Sequence, residues 1–290
     1  MLRSLFLFLS EARWAKSLIM RIGLARRTAY RFVAGETLEE AIEVSRRLNG
    51  KGMEVTIDHL GESVSDEAGA IQAARAYLEL LEAIQANNVK ATVSLKLTQL
   101  GLDVREELCM DNMRQILEKA RDTGGHVTID MESSDYTQKT LDVYRRLRDE
   151  AGFDNLGIVI QSYLFRSEAD MTALASEGGY VRLCKGAYKE SPEIAFADKA
   201  DVDASFVHLV ENYLTPEAGA AGAYLGIATH DEAMISASKA HISAQNVPYE
   251  QFEFQMLYGI RSLLQQQLAD DGFKMRVYVP YGTQWYAYYM

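Results

Sequence analysis

Cysteine is scarce in this sequence. Cys109 and Cys184 are its two thiols, far apart and outside any CxxC or zinc-ligand spacing. That removes support for a disulfide framework or a cysteine metal centre and points to a reducing, cytoplasmic compartment. Proline is also scarce, with 4 in 290 residues, while 48% of the chain is hydrophobic and 24% charged. Collagen-like, proline-rich and disordered chains are thereby excluded. Positive charge is in deficit: 30 Lys and Arg stand against 41 Asp and Glu, a net charge of −11. Nucleic acid is therefore not an expected partner. No apolar run approaches the ~20 residues of a membrane span. The string Leu5 to Leu9 is short and soon followed by Glu11 and Arg13, unlike a signal peptide. Leu5 to Leu24, with Arg13, Lys16 and Arg21 between apolar residues, reads as an amphipathic helix packed on the domain, and less strongly as a membrane-surface contact. GxGxxG, Walker, HExxH and GxSxG motifs are all missing, so Rossmann or P-loop nucleotide sites, zincin chemistry and nucleophile-elbow hydrolysis lack a basis.

What is present is alternation. Residues 1–36 are read as an N-terminal helical segment and 37–290 as one barrel domain. Thr37-Leu38-Glu39-Glu40 has capping-box form and opens a helix that Gly50 and Gly52 close. Strand-like runs follow at Glu54 to Asp58, Ala91 to Leu95, His126 to Asp130, Gly157 to Gln161, Tyr180 to Cys184, Ala223 to Thr229, Glu250 to Gln255 and Met275 to Val279. Helical periods long enough for parallel crossovers separate them, at Glu67 to Ala86, Glu106 to Arg121, Gln138 to Asp149, Glu168 to Ser176, Ala200 to Tyr213, Glu232 to Gln245 and Ile260 to Asp270. Eight such units without a Gly, Ser or Pro linker favour a closed (β/α)8 barrel over an open doubly wound sheet, because closure leaves no edge strand.

Catalytic groups of such barrels sit at the carboxyl ends of the strands. Those ends read Asp58-His59, Lys96, Asp130 with Glu132, Gln161, Arg182 with Lys185, Thr229-His230, Glu253 with Gln255, and Tyr278 with Tyr281. Singly, each is an ordinary loop or cap residue. Together, Lys96, Arg182 and Lys185 on an acidic protein would focus positive potential on a small anion, with the carboxylates holding the cations in place. A metal barrel built on His59, His126 and His230 is a weaker alternative, and no metal centre is expected.

Several strings make the chain resemble the proline dehydrogenases: Arg31-Phe32-Val33-Ala34-Gly35-Glu36, Ser94-Leu95-Lys96-Leu97-Thr98-Gln99, Asp130-Met131-Glu132, Gln161-Ser162-Tyr163-Leu164, Arg182-Leu183-Cys184-Lys185-Gly186-Ala187-Tyr188, Ala228-Thr229-His230, Phe252-Glu253-Phe254-Gln255 and Tyr278-Val279-Pro280-Tyr281-Gly282. They run in the family's order from about residue 30 onward, and the length resembles the short, single-function bacterial form. The resemblance implies a distorted (β/α)8 barrel with FAD across the carboxyl ends of its strands. L-proline would be oxidised by hydride transfer from C5 to the flavin, and a membrane quinone would reoxidise the cofactor. By the same resemblance, Arg182 and Gln161 lie along the flavin, Lys185, Gly186, Ala187 and Tyr188 follow it into the pocket, and Thr229, His230 and Lys199 meet the dinucleotide part. Asp198, where some members carry a basic residue, weakens the Lys199 assignment. Lys96 would pair with the proline carboxylate, Asp130 would belong to the polar network beneath it, and Leu257, Tyr278 and Tyr288 would line the substrate. An intact Tyr278 argues for proline over trans-4-hydroxyproline, whose ring hydroxyl its bulk would crowd. Location at the inner face of a bacterial membrane is a further implication of the family. Oligomeric state is not legible.

The family's last helix carries a Tyr-x-x-Arg-Arg pattern that clamps the substrate carboxylate. Tyr288 matches its tyrosine, and the sequence stops at Met290 before the arginine pair. A chain lacking that final helix is expected to bind proline ~100-fold or more weakly, since breaking a desolvated ion pair costs ~3–5 kcal/mol. The competing reading is therefore a catalytically impaired, flavin-binding barrel with a binding or regulatory role.

Overall fold

The structure, a computed structural model, describes residues 30–61 and 63–285. Eight strands, β1 (Glu54–His59), β2 (Ala91–Leu95), β3 (Val127–Ile129), β4 (Leu156–Gln161), β5 (Tyr180–Cys184), β6 (Tyr224–Ala228), β7 (Phe252–Leu257) and β8 (Met275–Tyr281), close into a barrel in chain order. Every neighbouring pair is parallel, and β8 closes on β1 with Thr56 opposite Tyr278 and Asp58 opposite Pro280. The helices are α1 (Leu38–Asn49), α2 (Glu67–Ala86), α3 (Glu106–Asp122), α4 (Ser134–Arg145), α5 (Ser167–Ser176), α6 (Lys199–Tyr213), α7 (Pro216–Ala220), α8 (Glu232–Gln245) and α9 (Ser262–Asp270). No helix among the described residues is long and apolar enough to cross a membrane.

Local chemistry sets these boundaries. The capping box at α1 is formed: Thr37 Oγ1 accepts from Glu40 N at 3.3 Å, while Glu40 Oε2 accepts from Thr37 N at 3.0 Å. Gly52, at φ +80°, supplies the left-handed turn that returns the chain to β1. The period expected over Gln138 to Asp149 instead begins at Ser134 and ends in a π-helical turn, Arg146–Glu150. Residues 30–37 run as turn, bend and irregular chain, and the rest of the expected N-terminal helical segment lies outside the described residues.

The strands alternate, and the alternation separates packing from chemistry. One face carries Val55, Ile57, Val93, Leu95, Val181, Leu183, Ile227, Phe254 and Val277, all fully buried within the same core as the helices. Removing each such side chain from water is worth about 1.5–3 kcal/mol. The other face is polar and meets across the lumen. Arg182 of β5 reaches Ser94 of β2, and Tyr180 of β5 reaches Glu253 of β7, contacts between strands that are not neighbours in the sheet. The lumen is thus filled by hydrogen-bonded polar side chains, which lead upward into the site.

Candidate active site

At the base of the lumen, Glu253 is fully buried and accepts from Arg276 Nε at 2.5 Å and from the Tyr180 and Tyr224 hydroxyls at 3.0 Å each. Burial alone would raise its pKa, but Arg276 outweighs that and lowers it to about 2. This corrects the sequence reading of Glu253 as a strand-end group. Residues 249–251 form a 3-10 turn and β7 starts at Phe252, so Glu253 lies at the amino end of its strand. Gln255, two residues on, links the layers: its Nε2 donates to Glu253 Oε1 at 2.7 Å and its Oε1 accepts from Arg182 Nε at 2.6 Å.

Above this layer Asp130 is the hub. It follows β3 directly and accepts from Ser94 Oγ and Arg182 Nη1, both at 2.7 Å, on one oxygen, and from the Tyr278 hydroxyl at 2.6 Å on the other. Lys96 Nζ lies 3.7 Å from the second oxygen. The Arg182 guanidinium also sits 5.2 Å from the Tyr278 ring centroid, holding both groups in one orientation. Burial disfavours the charged form of Lys96, yet Asp58 and Asp130 outweigh it and hold its pKa above the ordinary lysine range. Burial, reinforced by Asp130, pushes the Tyr278 phenol well above its usual value, so it remains a donor.

These groups open into a cavity of about 570 Å³ at the carboxyl ends of the strands, within the range of small-ligand sites. It brings together every strand-end residue expected at the substrate or cofactor within the described region, with Lys199 the exception: Lys96, Asp130, Gln161, Arg182, Lys185, Gly186, Ala187, Tyr188, Thr229, His230, Leu257 and Tyr278. Tyr288 lies outside the described residues. Lys199 is set back and largely exposed, at 72% of its side-chain surface, and meets the site through carboxylates. Lys185 and Lys199 each bond both Asp203 and Asp231, with 2.9 Å and 3.1 Å to Asp231. The three cations expected to act together are thus each met by carboxylates, Lys185 by Asp203 and Asp231, and Arg182 and Lys96 by Asp130. Sequence reading missed Asp203 and Asp231. The available signal was Asp231, which directly follows Thr229-His230 and caps α8 by accepting from Ala233 N at 3.1 Å. Bonds from Lys185 and Lys199 keep the Asp231 carboxyl far below its usual range.

Two further details define the wall. His230 Nε2 accepts from Leu257 N at 2.9 Å, and burial lowers its pKa, so the ring is neutral with its proton on Nδ1. Cys184 lines the cavity as a neutral thiol, its pKa raised by burial to about 11. Gly186 adopts φ +103°, and a Cβ there would lie 2.4 Å from the Tyr163 ring, so this loop position accepts glycine alone.

The comparisons with known proteins agree with this geometry. Residues 41–286 match the family model described as proline dehydrogenase. The chain belongs to the proline dehydrogenase family. It is 43% identical over 294 residues to "Proline dehydrogenase 1" of Bacillus subtilis (strain 168), covering 100% of this chain and 93% of that protein. It is 41% identical over 264 residues to "Proline dehydrogenase" of Deinococcus radiodurans, covering 90% of this chain and 84% of the relative. Among solved structures it resembles proline utilization A (PutA) from Bdellovibrio bacteriovorus inactivated by N-propargylglycine, with a TM-score of 0.84 and 27% identity. That match covers 91% of this chain but 32% of the larger one. The protein is accordingly an oxidoreductase of proline catabolism, built as a distorted (β/α)8 barrel and dependent on FAD.

The residues present fit that cofactor. Lys185, Thr229 and the His230 N–H are donors of the kind a pyrophosphate takes, and Gln161 and Arg182 can serve a flavin edge. They line one cavity with apolar Val159, Met256 and Leu257, in a chain without a Rossmann fingerprint.

Proposed function

We propose that this cavity is the active site and that its residues act on L-proline, as the first step of proline catabolism, in the following roles. Lys96 holds the substrate carboxylate. Leu257 and Tyr278 wall the pyrrolidine ring, and Asp130 fixes Arg182 and Tyr278 at the reacting centre. Gln161, Arg182, Lys185, Gly186, Ala187, Tyr188, Thr229 and His230 hold the cofactor, with Lys199 acting through Asp231. Bound FAD would supply a hydride acceptor for C5 of proline, the residues above holding the ring against it, and loss of the nitrogen proton to solvent would leave Δ1-pyrroline-5-carboxylate as the product. The observation that carries this reading is the Asp130 hub, where three donors within 2.7 Å lock Arg182 and Tyr278 beside Lys96 at one end of the cavity. Preorganisation of that kind is what transition-state stabilisation requires.

The catalytically impaired alternative is not favoured, since Lys96, Asp130, Arg182 and Tyr278 form one connected network. We place the catalytic domain at residues 37–290. Electrons leave to a membrane quinone, a reading supported by Tyr188, which lines the cavity and is 40% exposed, and by exposed Phe165 and Ile194, whose backbones are bonded to one another, apolar surface suited to a peripheral membrane contact. The test is Lys96→Met in FAD-loaded protein. Half-saturation by proline is expected to rise ~100-fold or more with flavin content unchanged, the loss of one desolvated ionic contact. Unchanged half-saturation would remove Lys96 from the substrate.

A further inference from the structure

Asp58 is a buried carboxyl without an assigned task. It stands near the end of β1, 1% exposed, in register with Ser94 of β2 and Pro280 of β8. Its Oδ2 receives no hydrogen bond. Its Oδ1 faces the Tyr77 hydroxyl at 3.5 Å, and that hydroxyl has a nearer acceptor in Gln99 Oε1 at 3.1 Å. A hydroxyl has one proton to give, and the other hydroxyl that reaches Asp58, that of Tyr278, gives its proton to Asp130 at 2.6 Å, so Asp58 is a carboxyl shut from water with almost no donor of its own among the described residues. Such a group is costly as an anion unless a cation faces it.

The titratable groups that face it are Lys96 and Asp130 from the ends of β2 and β3, Tyr278 and Tyr281 from β8, His59 from its own strand and Tyr77 from α2. Burial lowers the pKa of His59, which leaves Lys96 as the cation among the described residues of this group. Lys96 in turn has an incomplete partner in Asp130, which is 3.7 Å away and already accepts from Ser94, Arg182 and Tyr278. Asp130 stands within 4 Å of this ammonium, while Asp58, opposite Ser94 and so two residues back from Lys96 in the β1–β2 register, lies farther than 4 Å but within its field; burial raises the Asp58 carboxyl above its usual range, and Lys96 is the charge that most opposes the rise.

We propose that Asp58 is the second counter-charge of Lys96, a positioning residue that completes an Asp58–Lys96–Asp130 triad beneath the substrate carboxylate. The proposal rests on the reading of Lys96 as the carboxylate's partner. The triad has opposite effects on the two states of the site. It holds the ammonium protonated and aimed into the cavity, and it opposes the arriving carboxylate by presenting a competing one. Consistent with the first effect, Lys96 stays above the lysine range despite its burial.

The test uses the full FAD-loaded chain as wild type, Asp58→Asn, Asp58→Glu, Lys96→Met and the Asp58→Asn/Lys96→Met pair. In thermal unfolding at pH 7.5, Asp58→Asn is expected to lower the midpoint in the wild-type background and to raise it in Lys96→Met, where it removes an orphaned carboxylate. Equal shifts in both backgrounds would overturn the triad. If Asp58→Asn alone does not fold, recovery in the Lys96→Met background supports the proposal and failure in both overturns it. The second readout is binding of cyclopentanecarboxylate, followed through the flavin spectrum from pH 6 to 10. Wild type and Asp58→Glu are expected to bind it with little pH dependence. Asp58→Asn is expected to bind it up to about tenfold tighter at pH 6.5 and to lose that gain as pH approaches 10. An unchanged affinity and a flat profile in Asp58→Asn would contradict the proposal. Absence of binding by wild type would instead count against Lys96 as the carboxylate's partner, while the thermal cycle still judges the triad.

Discussion

Asp130 shows how much one side chain can organise. Its two oxygens hold groups from β2, β5 and β8, so removing it frees Tyr278 and leaves Arg182, 5% exposed, without its anion. Breaking a buried pair from one side costs about 3–5 kcal/mol. Asp130→Ala is therefore expected to lose that much stability in denaturant unfolding and to slow proline-dependent flavin reduction at least 100-fold. A variant of wild-type stability would show that Arg182 does not depend on Asp130. A second residue-scale prediction concerns His126 at the opposite end of the barrel. Its ring lies tilted against Tyr180 with centroids 4.2 Å apart, its Nε2 has no hydrogen-bond partner among the described residues, and burial with nearby Arg276 lowers its pKa to about 3. The unfolded chain takes up that proton near pH 6.5, and the folded chain resists it. The stabilising contribution is thus complete above pH 6.5 and is lost as pH falls, by up to about 1.4 kcal/mol per pH unit. The Tm should drop between pH 7 and 5, and His126→Phe should flatten the drop; an identical pH dependence in the variant would contradict the assignment. At this scale Lys96, Asp130, Arg182 and Tyr278 were legible, because the residues at strand ends announce a barrel's site. Asp203, Asp231 and the isolation of Asp58 were not, since each depends on partners from other elements.

The element that differs most from an ordinary βα connection is the segment between β5 and α6. Its backbone is pinned to the loop after β4, with Tyr163 N donating to Lys185 O at 3.0 Å and Phe196 N to Tyr163 O at 2.8 Å, and its Glu190 carboxylate accepts from Ser134 N at the start of α4 at 2.8 Å. Gly186 presses this loop onto the Tyr163 ring. Gly186→Ala is expected to yield folded protein with less than a tenth of the wild-type flavin content, because both its φ and its contact exclude a side chain. Full flavin content would show that the loop can move aside. The salt-bridged quartet of Lys185, Lys199, Asp203 and Asp231 joins this segment to α6 and α8. Strand and helix positions were largely visible in the sequence: β2, β5, α2 and α8 fall where the apolar periods place them. The carboxyl ends of β7 and β8 extend beyond the sequence expectation: apolar Met256 and Leu257 continue β7, and β8 runs through Pro280, a residue that ordinarily argues against a strand, to Tyr281.

Across the whole molecule, apolar packing closes the barrel from outside and a polar column fills it from within. The column runs from Glu54, Arg276 and Glu253 at the base through Gln255 and Arg182 to Asp130 and Tyr278 at the cavity. Position along that column separates stability from chemistry. Arg276→Met is expected to cost about 3–5 kcal/mol in unfolding by leaving buried Glu253 with only the more distant Lys274, 3.5 Å away, as a cation among the described residues, while leaving proline half-saturation near wild type in whatever protein remains folded. A large change in half-saturation would mean that the base communicates with the site. The periodicity of the strands revealed the closed barrel. The polar lumen was hidden, because alternation shows which residues share a face but not which face is the inside.

The most direct test of the account is the visible spectrum of the FAD-loaded protein, recorded anaerobically as L-proline is added. The account predicts a flavin peak that bleaches with proline, faster as pH rises from 6 to 9, because a secondary amine titrating near the ~10.4 of lysine must be neutral at nitrogen to release hydride from its ring. A protein that takes up FAD but keeps its colour in excess proline would contradict the assignment of this cavity as a working proline-oxidising site.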